Sequence, residues 1–153
     1  MKADCKMKII VDGDGCAGRD IIEKTASGFG IGLLIICDIN HAIFSDYGEV
    51  KIVDSGFQSV DMYVVNNCCK GDLVVTQDYG VAALCLPKGA ACISPSGYIY
   101  DNENIERLLM ERHIKAEIRR AGGRTSNPKK RTAEDNVRLE NNLKKLIRSL
   151  LDN

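Results

Sequence analysis

Short apolar runs alternate with stretches of helical spacing along this chain of 153 residues. The run MKIIVDG is brief, β-branched and stops at an acid, which predicts a buried strand. RDIIEKTASGF then sets Ile21, Ile22, Thr25, Ala26 and Phe29 on one helical face. GLLIICDI and EVKIVDSG predict a second and a third strand. FQSVDMYVVNNCC predicts a helix with a stripe of Phe57, Val60, Val64 and Cys68, its two cysteines included. GDLVVTQD predicts a fourth strand, YGVAALCLPKG a short helix ended by Pro87 and Gly89, and AACIS a fifth strand. PSGYIY turns after it, with a hairpin as one outcome. NENIERLLMERHIKAEIRRAGG predicts a long helix closed by a glycine pair.

GGRTSNPKKRT reads as a mobile loop or linker, with glycines, a proline, small polar residues and four cations. Thr132 then opens a last helix, with Asp135 three residues on as a capping-box partner. Val137, Leu139, Leu143, Leu146, Ile147, Leu150 and Leu151 give that helix an apolar stripe, for packing on the domain or against a second copy of the chain. Strands alternating with helices predict an α/β fold. The expected architecture has three layers, with a mostly parallel central sheet of about five strands plus C-terminal helices. The predicted organisation is an α/β domain over residues 1–122, a basic loop over 123–131 and a C-terminal helix over 132–153.

Charge changes this picture only through its distribution. Lys plus Arg balances Asp plus Glu at 21 each. Yet residues 1–111 hold 9 basic and 16 acidic side chains, and residues 112–148 hold 12 and 4. An acidic body with a basic C-terminal third suggests an anionic partner, and two solvated faces that neutralise each other suit the same numbers. No secretory signal is read at the N-terminus, and the longest apolar stretch is far short of the roughly 20 residues of a membrane span. Seven cysteines lie scattered among the elements with no CxxC pair, and there are two histidines, so a zinc site is not expected. Cys37 and Cys85 read as small core residues, and a reducing cytoplasm is the expected compartment.

The candidate chemistry lies where strands stop. In parallel sheets, ligands bind outside the carboxyl ends of the strands. Strand ends here carry Asp12 with Asp14, Asp54, and Asp78, and Asp61 follows on a helix. Each acid alone has a structural use. Asp14 and Asp78 suit helix N-caps, and Asp54 suits an Asx turn. Asp61 falls at or beside its helix's apolar stripe, where a carboxylate needs a partner or a metal. One helix needs one cap, so Asp12 is surplus if Asp14 caps. Clustered aspartates repel, and Mg²⁺ or Mn²⁺ relieves that repulsion with hard oxygen ligands. Such an ion activates water against a phosphate.

Several blocks taken together resemble one family. They are IIVDGDGC, IVDSG followed by Val60-Asp61, GDLVVTQDYGVAALCLPKGA, SPSGYIY, NIERLLMER and RRAGGRTSNPKKRTAED. They resemble the bacterial YaiI/YqxD family, whose members have a PIN-like nuclease fold, over almost the whole chain. The family's Asp-x-Asp-x-Cys block falls on Asp12, Asp14 and Cys16; the family usually has alanine between the acids and proline after the cysteine, and this chain has Gly13, Gly15 and Ala17. Its second block matches at Asp54, Gly56 and Asp61 and departs at Gln58, Ser59 and Val60. Its third matches from Thr76 to Gly80.

By that resemblance, Asp12, Asp61 and Asp78 are expected as ligands of Mg²⁺ or Mn²⁺, with Asp14 direct or through water. These four are then the catalytic set, and a metal-bound water attacks a phosphodiester of RNA or single-stranded nucleic acid. Thr76 and His41 are placed on the substrate side. Arg119, Arg120, Arg124, Lys129, Lys130 and Arg131 are expected to meet the nucleic-acid backbone through sequence-independent phosphate contacts. No aromatic stacking set accompanies that basic segment. Two other readings stay open. One is a phosphatase of the haloacid dehalogenase type, with Asp12 as nucleophile, Asp14 as general acid and Thr76 at the next strand end. The other is a non-catalytic module that binds nucleic acid or a protein.

Overall fold

The computed structural model describes residues 6–13, 16–54, 59–126 and 129–152. The strands are β1 (Lys8–Asp12), β2 (Gly32–Asp38), β3 (Glu49–Val53), β4 (Leu73–Val75), β5 (Ala91–Ile93) and β6 (Ile99–Tyr100). The helices are α1 (Arg19–Phe29), α2 (Val60–Asn67), α3 (Tyr79–Cys85), α4 (Asn102–Arg120) and α5 (Ala133–Leu151). The sheet has six strands in the order β3-β2-β1-β4-β5-β6. The first five run parallel, and β6 pairs antiparallel with β5 through Cys92–Tyr100 and Ile93–Ile99. The sixth strand, beyond the five expected, exists because PSGYIY closes a hairpin. Ser94 N–H donates to Tyr98 O at 2.8 Å, and the Ser94 hydroxyl accepts from Tyr98 N–H at 3.0 Å.

Alternate side chains of the parallel strands serve two cores, as the two-residue strand period requires. Ile9, Val11, Leu33, Ile35, Leu73 and Val75 pack with Ile22 and Ala26 of α1 and with Leu139, Leu143 and Ile147 of α5. Ile10, Ile36, Val74 and Cys92 pack with Val60, Val64, Val81, Cys85 and Ile105 from α2, α3 and α4. Helices thus cover both sheet faces. Cys37 and Cys85 are fully buried, as their aliphatic sequence neighbours predict.

The last helix closes this fold rather than offering its stripe to a partner. Leu139, Leu143 and Ile147 are fully buried against α1 and the sheet, while Val137 and Leu151 face solvent. Its capping box forms with both bonds, Asp135 N–H to the Thr132 hydroxyl and Thr132 N–H to the Asp135 carboxylate. The Thr132 N–H holds that carboxyl below its ordinary range. The helix expected through Cys69 stops at Asn67. Cys68 is its C-terminal cap residue, in an extended conformation, and Cys69 lies beyond it. At the amino ends of the strands, Lys8 gives Asp72 both its backbone N–H at 3.2 Å and its ammonium at 2.7 Å, tying β1 to β4. Among the described residues no helix is long and apolar enough to cross a membrane.

Candidate functional site

The chain runs from β1 outward to β2 and β3, then returns to place β4 on the other side of β1. The carboxyl ends of β1 and β4 therefore flank the point where strand order reverses, which is where open α/β sheets bind ligands. Asp12 ends β1 and is 8% exposed, and Thr76 follows β4 and is fully buried. The Thr76 hydroxyl donates to Asp12 Oδ2 at 3.0 Å and accepts from Asp78 N–H at 3.0 Å. Because the hydroxyl oxygen accepts the backbone N–H, its own proton points at the carboxylate.

Asp78 takes the cap role open to it in the sequence. Its Oδ1 accepts from Gly80 N–H at 2.8 Å at the start of α3 and lies 3.4 Å from Arg112 Nη1 of α4. The expectation for Asp61 is corrected. It is exposed in the first turn of α2, off the stripe of Val60, Val64 and Cys68, and Ser59 caps that helix by accepting from Met62 N–H. The reason is helical geometry: Asp61 sits about 100° around the axis from Val60, and the buried arc is narrow. Asp14 lies outside the described residues, as do Gly56, Phe57 and Gln58. Among the described residues, no three His, Cys, Asp or Glu side chains gather in a group able to hold a metal ion. Asp12 and Asp78 are brought to either side of Thr76, but Asp61 is not brought to them as a third donor. Asp54 is exposed past the end of β3. His41 stands exposed in a short 3₁₀ turn after β2, with Nδ1 3.8 Å from Asp38 Oδ1.

Beside the ends of β4 and β5 opens a cleft of about 550 Å³. Arg107, Lys129 and Arg131 bring cations to its wall, and Tyr79, Tyr98 and Tyr100 bring rings. Tyr100 meets Tyr79 and Tyr98 edge-on, with centroids 6.0 and 5.8 Å away, and its hydroxyl donates to Thr76 O at 3.1 Å. Burial pushes the Tyr100 hydroxyl above its ordinary range. Arg107 Nη2 donates to the Tyr98 hydroxyl at 3.2 Å. The aromatic set absent from the basic segment thus arrives from TQDYG and SGYIY, and only the hairpin puts it beside cations. Arg107 was equally hidden, as one charge among many on a long helix.

The basic segment divides in the structure. Lys129 and Arg131 line the cleft, whereas Arg119, Arg120, Arg124 and Lys130 are exposed elsewhere. Arg131 is a strut. Its Nε donates to Asn136 Oδ1 at 2.9 Å and its Nη1 to Pro95 O at 2.6 Å, and Nη2 is buried without a partner. That nitrogen fills the space a Cβ on Gly18 would need, 2.6 Å away.

The glycines at 13, 15 and 18 have the spacing of a dinucleotide-binding loop after β1. The described geometry gives two of them packing work instead. A Cβ on Gly13 would lie 2.8 Å from Ile36 O, and Gly18 takes a left-handed φ of 81° against Arg131 and Leu139. Helix α1 opens only at Arg19, after the third glycine, whereas a dinucleotide loop sets its helix N-terminus at the pyrophosphate.

Residues 10–149 match the family described as "Uncharacterized BCR, YaiI/YqxD family". A UPF0178 protein of Clostridium perfringens is 62% identical over 141 residues, covering 92% of this chain and 95% of its own. A UPF0178 protein of Clostridium novyi is 59% identical with the same coverage. Among solved structures, Rae1 (YacP) from Bacillus subtilis is 17% identical over 76% of this chain and 84% of its own, with a TM-score of 0.47. That likeness is too slight to carry a fold or an activity across. The match over residues 10–149 and the close relatives agree, and the chain belongs to the YaiI/YqxD family.

Proposed function

We propose that this protein is a PIN-like, Mg²⁺- or Mn²⁺-dependent nuclease that cleaves phosphodiester bonds in RNA or single-stranded nucleic acid. One observation carries the reading: a buried carboxylate, Asp12, held by Thr76 at the strand-order reversal, next to a cleft that pairs cations with tyrosine rings. Arg107 and Lys129 neutralise backbone phosphates, and the half-exposed ring of Tyr98 offers a face for a base. Asp12 accepts the proton of an attacking water. Asp12 would hold the divalent ion, which would supply charge stabilisation at the phosphate. With Mn²⁺, purified protein is expected to cleave a generic single-stranded RNA, and Asp12→Asn with Asp78→Asn abolishes cleavage. Undiminished cleavage in that double variant overturns the site.

A binding module without hydrolysis is the second reading, and the state of Asp78 favours it. Its carboxylate already serves Gly80 N–H and Arg112. RNA retention without a divalent ion, and no cleavage with one, selects this reading.

A further inference from the structure

Helix α4 carries an apolar stripe that the described residues of its own chain do not cover. Met110, Ile114 and Ile118 recur every four residues and are 59%, 49% and 41% exposed. They project away from Ile105, Leu108 and Leu109, which face the core. From Met110 to Arg120 the helix is exposed at every position but Ala116, which is half-buried. Such a stripe on a solvent-facing helix marks an interaction surface.

The charges beside the stripe identify its occupant. Residues 102–111 of α4 carry Glu103, Glu106 and Glu111 with Arg107, and residues 112–120 carry Arg112, Lys115, Arg119 and Arg120 with Glu117, so the N-terminal part is net acidic and the C-terminal part net basic. We infer that α4 pairs antiparallel with α4 of a second copy of this chain. A two-fold axis at Ile114 sets Ile114 against the partner's Ile114, and Met110 against the partner's Ile118. It also sets Glu111 beside the partner's Lys115, and Glu106 beside the partner's Arg120. A parallel pairing opposes each of these charges to its like, so the flanking charges select the antiparallel orientation.

The pairing also gives the remaining basic residues a place, a step that rests on the proposed nucleic-acid reading. Arg107 at the cleft and Arg120 are separated by 13 residues of α4, about 20 Å along the helix axis. Within one chain that basic end is remote from the cleft. In the antiparallel pair, packed helix axes about 8–10 Å apart bring the partner's Arg120 alongside Glu106 and Arg107. Each protomer thereby extends the other's cationic wall.

The test is sedimentation equilibrium of the full chain from about 1 μM to about 1 mM, the range expected for one helix pair. The wild type is expected to pass from monomer to dimer mass. Ile114→Glu, an exposed position the fold tolerates, stays monomeric. Glu111→Lys weakens association about tenfold, and adding Lys115→Glu restores it to within about threefold. A wild type monomeric throughout, or an unchanged dissociation constant in Ile114→Glu, overturns the interface. Binding of a fluorescein-labelled single-stranded RNA is read separately. If monomeric Ile114→Glu binds as tightly as the wild type, the shared cationic wall is overturned. If the wild type binds no RNA, the nucleic-acid reading fails while the mass result stands.

Discussion

The Thr76 hydroxyl donates to Asp12 Oδ2 across 64 positions of sequence, at 3.0 Å and in the protein interior. The same hydroxyl takes Asp78 N–H, so one side chain connects the ends of β1 and β4 to the start of α3. Thr76→Val keeps the shape and removes both bonds. It leaves a buried carboxylate short of a donor, and a loss of about 1–3 kcal/mol is expected in urea unfolding. Thr76→Ser, which keeps the hydroxyl, recovers most of it.

Arg131 and Lys130 are adjacent in a basic run but differ in what they hold. Arg131→Ala removes the bonds to Asn136 and Pro95 and opens a void against Gly18. It is expected to lower stability by about 1–3 kcal/mol. Lys130→Ala, at an exposed position, changes stability by less than about 0.5 kcal/mol. Paired thermal melts of the two variants check this contrast.

Tyr98 is 40% exposed at the cleft. Tyr98→Ala is expected to weaken single-stranded RNA binding by about 1–3 kcal/mol, the worth of a base stacked on a ring. Lys129→Ala instead flattens the salt dependence by about one phosphate contact. Fluorescence anisotropy at several salt concentrations separates the two effects.

Asp72 joins Lys8 to Cys69 N–H at the amino ends of the central strands β1 and β4, away from Asp12 at the carboxyl end of β1, and it is 2% exposed. Asp72→Asn is expected to cost about 2 kcal/mol by weakening charge-assisted bonds. Its distance from Asp12 leaves RNA binding unchanged, which binding and unfolding measurements on one preparation show.

Burial pushes the Cys16 thiol up from 9.0 to about 12, so it stays neutral in the folded chain at pH values where an unfolded thiol ionises. This contribution to stability is complete below pH 9 and is lost as pH rises toward about 12; Tyr100 acts in the same direction. Urea midpoints are therefore expected to fall above pH 9. Under native conditions at pH 8, iodoacetamide should label half-buried Cys69 ahead of buried Cys16 and Cys68, as read by peptide mass spectrometry.

Helix and strand patterning was legible because it is local. The strand periods, the α1 stripe and the Thr132 capping box each follow from residues within a few positions of one another. The end of α2 was not, since Cys68 continues the helical spacing of Val60 and Val64 while its backbone is already extended. Asp61 was misplaced for a related reason: a position one residue from a stripe looks apolar-facing in sequence, while the helix turns it to solvent.

By itself, the sequence determined the elements, the α/β class and the presence of acids at strand ends, because period and strand termination are written in neighbouring residues. Family membership was also legible there, in the extended blocks around Asp12 and TQDYG. Tertiary structure alone decided which acid Thr76 would hold, which cations would reach the cleft, and that three tyrosines would stand among them. These depend on strand order and on a two-strand hairpin, which bring together residues tens of positions apart.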